Sequence, residues 1–96
     1  MFIVSLTYTS PIEEIDRFLP EHIEFLDDQY GSGNFQLSGR KVPRTGGVII
    51  ATVKNREELD LILAKDPFYR EGLASYEVTE IVPTKSAPAL GFLLEK

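Results

Sequence analysis

The chain has 96 residues, a formal net charge of −5 and a pI near 4.8, so one domain over residues 1–96 is expected and the basic footprint of a nucleic-acid binder is missing. It has no cysteine, which excludes disulfide scaffolds, thiolate metal sites and cysteine nucleophiles. No stretch approaches the roughly 20 apolar residues of a membrane span, and the opening FIVSLTY lacks a basic leader and runs into Ser10-Pro11, so it reads as a strand and the cytoplasm is the expected location.

From Phe2 to Tyr8 the residues alternate, with Phe2, Val4, Leu6 and Tyr8 on one face and Ile3, Ser5 and Thr7 on the other. A helix should follow, with Ser10 as N-cap, Pro11 in the first helical position and Glu13 completing a capping box. Ile12, Ile15, Leu19, Ile23, Leu26 and Tyr30 recur at spacings of three and four and carry the helix to about Tyr30. Pro20 interrupts it and predicts a kink or two successive helices. Strands are then expected at Phe35–Lys41 and Val48–Lys54, joined by a loop built on Pro43 and Gly46-Gly47. Asn55 and Glu58 form the capping box of a second helix, with Leu59, Ile62 and Leu63 on its buried side. Asp66-Pro67 opens a short third helix to Gly72, and a fourth strand spans Tyr76–Val82. The tail from Pro83 carries an apolar LGFLL run and is expected to be ordered by packing, as an additional edge strand.

The element order β-α-β-β-α-β, with right-handed crossovers, specifies an α+β ferredoxin-like fold: an antiparallel four-stranded sheet with helices on one face. Both faces of the sheet are apolar. The first strand carries Phe2, Val4 and Leu6 against Ile3, and the third carries Val48 and Ile50 against Ile49, Ala51 and Val53. Two helices cover one face only, so a homodimer through the other face is expected.

His22 is the only histidine, and its spacing from Leu19 and Leu26 turns it toward the sheet. An imidazole there suits general acid–base chemistry near neutral pH, or a hydrogen-bonded structural role. Asp66 is explained by capping alone, or by orienting His22 with its carboxylate. Ser38 and Gly39 either bind a ligand or form a strand-end bulge. Arg44, Thr45 and the glycines after them either cradle an anion or make a plain hairpin loop, and Arg40, Lys41 and Arg44 are a weak polyanion signal against a solvated loop or a small anionic ligand. Glu21 and Glu24 fall off the His22 face and should be solvated. One histidine and no cysteine argue against a metal site, and no Walker, Rossmann or nucleophile-elbow motif is present.

In order and spacing, four segments together resemble the YciI-like (YCII-related) family over nearly the whole chain: FIVSLTY, His22 within PEHIEFLDDQYGSG, the hairpin FQLSGRKVPRTGGVIIA, and Asp66 within AKDPFYREGL. The resemblance implies a dimeric α+β barrel, with a cleft centred on His22 and Asp66 and with Ser38 and Gly39 nearby. Arg40 departs from the family pattern, in which proline often follows the Ser-Gly pair, so the substrate class does not transfer. One characterised branch looks like a dehydrochlorinase of chlorinated hydroquinone breakdown, and related folds include lactone isomerases and small monooxygenases, an analogy of fold alone. The expected function is a cofactor-independent lyase or isomerase acting on a small polar or aromatic molecule, with His22 and Asp66 catalytic and Ser38, Gly39 and Arg44 binding substrate. The alternatives are a non-catalytic module that holds a small ligand in the same cleft and, third, a haem protein with His22 as axial ligand.

Overall fold

A computed structural model describes residues 1–94. Its elements are β1 (Phe2–Tyr8), α1 (Ile12–Gly31), β2 (Phe35–Arg40), β3 (Gly46–Ala51), α2 (Arg56–Leu63), α3 (Pro67–Arg70) and β4 (Ala74–Glu80), followed by a 3-10 helix at Pro88–Leu93. The strands form one antiparallel sheet in the order β2-β3-β1-β4. β1 and β2 run parallel with β3 between them, which is the split β-α-β arrangement of a ferredoxin-like fold. No described helix is long and apolar enough to cross a membrane.

The expected barrel is not formed. β2 and β4 are each paired on one side only, so the sheet is open with two edges, whereas closure requires every strand to have two neighbours. The helices do lie on one face. Phe2, Val4 and Leu6 of β1 and Ile49 and Ala51 of β3 point to them and are buried with Ile15, Phe25, Leu59, Ile62 and Phe68. Each large apolar side chain so buried contributes about 1.5–3 kcal/mol. The opposite face presents Ile3, Val48 and Ile50, and also Leu37, which is 64% exposed.

Local signals are met unevenly. Ser10 does not cap α1; Pro11 occupies the N-cap position without a side-chain bond. Pro20 does not divide α1, which continues through it. Its buried stripe is also rotated from the expected one: Ile15, Phe25 and Gln29 are buried and Phe18, Leu19 and Leu26 partly so, while Ile12, Ile23 and Tyr30 are exposed. His22 lies at the middle of this stripe. Asn55 does cap α2, accepting the Glu58 N–H at 2.9 Å. The tail adds no edge strand; it forms the exposed 3-10 helix instead, and its last two positions, 95 and 96, lie outside the described residues. An edge strand needs a continuous extended run, which Pro83 and Pro88 interrupt.

Two backbone features shape the ground beside α1. Gly46 approaches β1 so closely that a Cβ would lie 1.8 Å from the Leu6 carbonyl oxygen, so no side chain fits there. In β2 the pairing slips between Phe35 and Leu37. The extra residue reverses the strand's facing from that point. Phe35 opposes Ala51 on the helix side, and after the slip Ser38 opposes Ile49 and Arg40 opposes Gly47 on that same side.

Candidate active site

His22 and Asp66, separated by 44 residues, meet. The His22 Nδ1–H donates to Asp66 Oδ1 at 2.8 Å. Asp66 is the N-cap of α3, and Oδ1 also accepts the Phe68 N–H at 3.0 Å. Its other oxygen, Oδ2, accepts the Tyr76 hydroxyl at 2.6 Å. A fully buried carboxylate is costly unless hydrogen-bonded, and these three donors satisfy it. The His22 ring stacks on Phe68, centroids 4.1 Å apart and planes 12° from parallel.

This arrangement fixes the tautomer. An ionised carboxylate accepts and does not donate, so the proton of the neutral ring sits on Nδ1 and the lone pair on Nε2. Among the described residues no buried side-chain nitrogen or oxygen lacks a partner. Nε2 has no protein partner and is therefore open to the space beside it. Burial pushes the Tyr76 phenol far above its ordinary value, and the neighbouring Asp66 charge and the hydrogen bond to it push the same way. Tyr76 consequently stays protonated and remains a donor to Asp66.

The space beside His22 is a cleft of about 510 Å³ between α1 and the β2–β3 end of the sheet. Leu19, Ile23 and Leu26 line the α1 side, the side chains of Leu6 and Ile49 the sheet side, and Phe68 also borders it. Ser38 and Gly39 line it, and the Ser38 hydroxyl is 2.6 Å from the Tyr30 hydroxyl. Arg44 also lines it, but its Nη2 donates to Asp16 Oδ1 at 2.6 Å, tying the β2–β3 loop to α1. Glu21 and Glu24 are exposed, and Glu21 pairs with Arg70 at 2.8 Å. Tyr76 and Tyr30, which reach Asp66 and Ser38, were not anticipated as part of the site. The only sequence signal for Tyr76 was its place on the alternating fourth strand, and for Tyr30 its place on the first helix. Among the described residues no group of three or more His, Cys, Asp or Glu is placed to hold a metal ion.

Fold and site together define a class: an open-sheet ferredoxin-like α+β protein with a carboxylate-anchored imidazole at the mouth of a small, mainly apolar cleft. The chain belongs to the YCII-related domain family, whose family model matches residues 1–82. No curated protein matches. Among solved structures it is similar to 5-chloro-2-hydroxyhydroquinone dehydrochlorinase (TftG) from Burkholderia phenoliruptrix AC1100 in complex with 2,5-dihydroxybenzoquinone. The TM-score is 0.70 over 84% of this chain and 93% of that one, at 17% sequence identity. A likeness at that identity establishes the shared fold and nothing finer.

Proposed function

We propose that the protein is a cofactor-independent lyase or isomerase acting on a small hydroxylated ring compound, with His22 as general base. The observation that carries this is the division of labour on the imidazole: Nδ1 is held by a fully buried carboxylate while Nε2 is left open beside the cleft. Nε2 takes a proton from a substrate O–H or C–H, and the imidazolium is stabilised by Asp66. The electron pair left behind moves onto a ring oxygen, which the Ser38 hydroxyl stabilises. In a lyase the pair then expels a leaving group such as halide; in an isomerase the imidazolium returns the proton at another carbon. The solved relative is named a dehydrochlorinase and holds a dihydroxybenzoquinone, which supports starting from hydroxylated quinones and hydroquinones.

The test is NMR in deuterated buffer with hydroquinones, halogenated hydroquinones and small lactones, following ring-proton exchange, isomerisation and halide release. Wild-type protein should exchange or convert at least one ring class. His22→Asn should lower that rate by about 10²–10⁴-fold, the usual worth of a histidine acid–base role, with the melting temperature nearly unchanged. Conversion that survives His22→Asn would remove His22 as the base, and ligands that bind with neither exchange nor conversion would make the cleft a non-catalytic binding module.

The assembly proposed with this activity is a homodimer through the uncovered sheet face. Ile3, Leu37, Val48 and Ile50 give that face an apolar patch, and a two-fold axis lets one patch cover its own copy.

A further inference from the structure

We infer that Arg40 makes the cleft selective for ring compounds carrying a carboxylate, a deepening that rests on the ring-compound reading of the same site. The reversal of facing in β2 puts Arg40 on the helix side, opposite Gly47 and two residues beyond Ser38 on the same side of the strand. Arg40 lines the cleft with His22 and Ser38. Gly47 opposite contributes no side chain, so the strand pair presents the guanidinium stem and little else at that end.

The charges of the cleft are unequal in their pairing. Arg44 and Asp16 both line it and are bonded to each other at 2.6 Å. Asp66 is fully buried behind His22, with its oxygens occupied by three donors. Arg40 has no ion-pair partner among the described residues, although the chain carries 15 carboxylate side chains against 10 basic ones. In so acidic a protein, an unpaired guanidinium at the edge of an apolar pocket is a recognition group for an external anion. Its planar fork matches a carboxylate bidentately.

The spacing suits one ring. Ser38 and Arg40 leave the strand on the same side with their Cα atoms about 6.6–6.8 Å apart, so one ring with a carboxylate and a para oxygen can meet both side chains. A hydroxylated benzoate would lie with its ring between the aliphatic side chains of α1 and β3, its carboxylate at Arg40 and a hydroxyl within reach of Ser38 and His22.

The test compares isosteric pairs by NMR titration: 3,4-dihydroxybenzoate against 3,4-dihydroxybenzamide, and 4-hydroxybenzoate against 4-hydroxybenzamide. Wild-type protein should bind each carboxylate about tenfold or more tightly than its amide, as a charge-assisted bidentate pair requires. Arg40→Met should bring the ratio close to one by weakening the carboxylate alone, and Arg40→Lys should restore part of it. Lys41→Met removes a neighbouring cation whose ammonium reaches Thr7 and which does not line the cleft, and should leave the ratio unchanged. Equal affinity for acid and amide in the wild type, an equal effect of Lys41→Met, or no binding of either carboxylate at millimolar concentration would overturn the inference. His22→Asn keeps Arg40 in place and should keep the carboxylate preference. Loss of the preference with His22-dependent exchange intact therefore rejects this inference alone, and a preference without exchange rejects catalysis alone.

Discussion

Asp66 joins three parts of the chain through one carboxylate, and Tyr76 is the partner most readily tested. Tyr76→Phe removes the hydroxyl from Oδ2 and leaves a buried carboxylate oxygen with no donor. The variant should lose about 1–3 kcal/mol of stability, the cost of an unsatisfied buried acceptor, measured as a lower denaturant midpoint with an unchanged slope. Its pH dependence has a definite sign. The folded-state phenol holds its proton above its ordinary pKa of 10.0, so the stabilisation is fully present below about pH 10 and is lost as the unfolded-state phenol ionises above it. The wild type should therefore lose stability more steeply above pH 10 than Tyr76→Phe does. Parallel alkaline limbs in the two proteins would show that the phenol is not held in this way.

At the scale of the element, the two caps are chemically similar but differ in how many partners they hold. Asn55 caps α2 with one bond to the Glu58 N–H and is exposed. Asn55→Ala should cost about 1 kcal/mol, the usual worth of a cap, and leave ligand binding and turnover unchanged. Asp66 caps α3 and also holds His22 and Tyr76. Asp66→Ala should therefore cost more than Asn55→Ala in thermal melts and should also remove activity, because His22 loses the acceptor that fixes its tautomer. If the two alanine variants behaved alike in both measurements, Asp66 would be a cap and no more. At the same scale, the buried stripe of α1 differs from the one its isoleucines and leucines predict. Isoleucine and leucine at threes and fours identified the helix, but Phe18 and Phe25 turn its buried centre toward Ile15, His22 and Gln29.

At the scale of the whole molecule, the sheet register assigns the two adjacent isoleucines of β3. Ile49 opposes Val4 and Ser38 and is buried under the helices; Ile50 opposes Ile3 and Leu37 on the uncovered face. Ile50→Glu should leave a folded chain that scatters as a monomer, whereas the wild type should scatter at about twice its 10.8 kDa mass. Ile49→Glu should fail to fold cooperatively, because it puts an unpaired charge into the core. A wild type that is monomeric at micromolar concentration would remove the dimer.

The order of strands and helices, the caps Asn55 and Asp66, and the inward facing of His22 could be read from local spacing, because periodicity and capping act over a few residues. The meeting of His22 with Asp66 came into view through family likeness and not through spacing, since nothing local relates positions 44 apart. The open sheet was decided by pairing: β2 and β4 end as edges where a closed barrel was expected. The slip in β2 was equally hidden, yet it turned the Ser38 and Arg40 side chains to the helix side in place of that of Leu37. Tyr76 and Tyr30 entered the site for the same reason. Hydrogen bonds across a sheet and between a helix and a strand depend on register and rotation, and those are set by how the whole core packs together, not by any single stretch of chain.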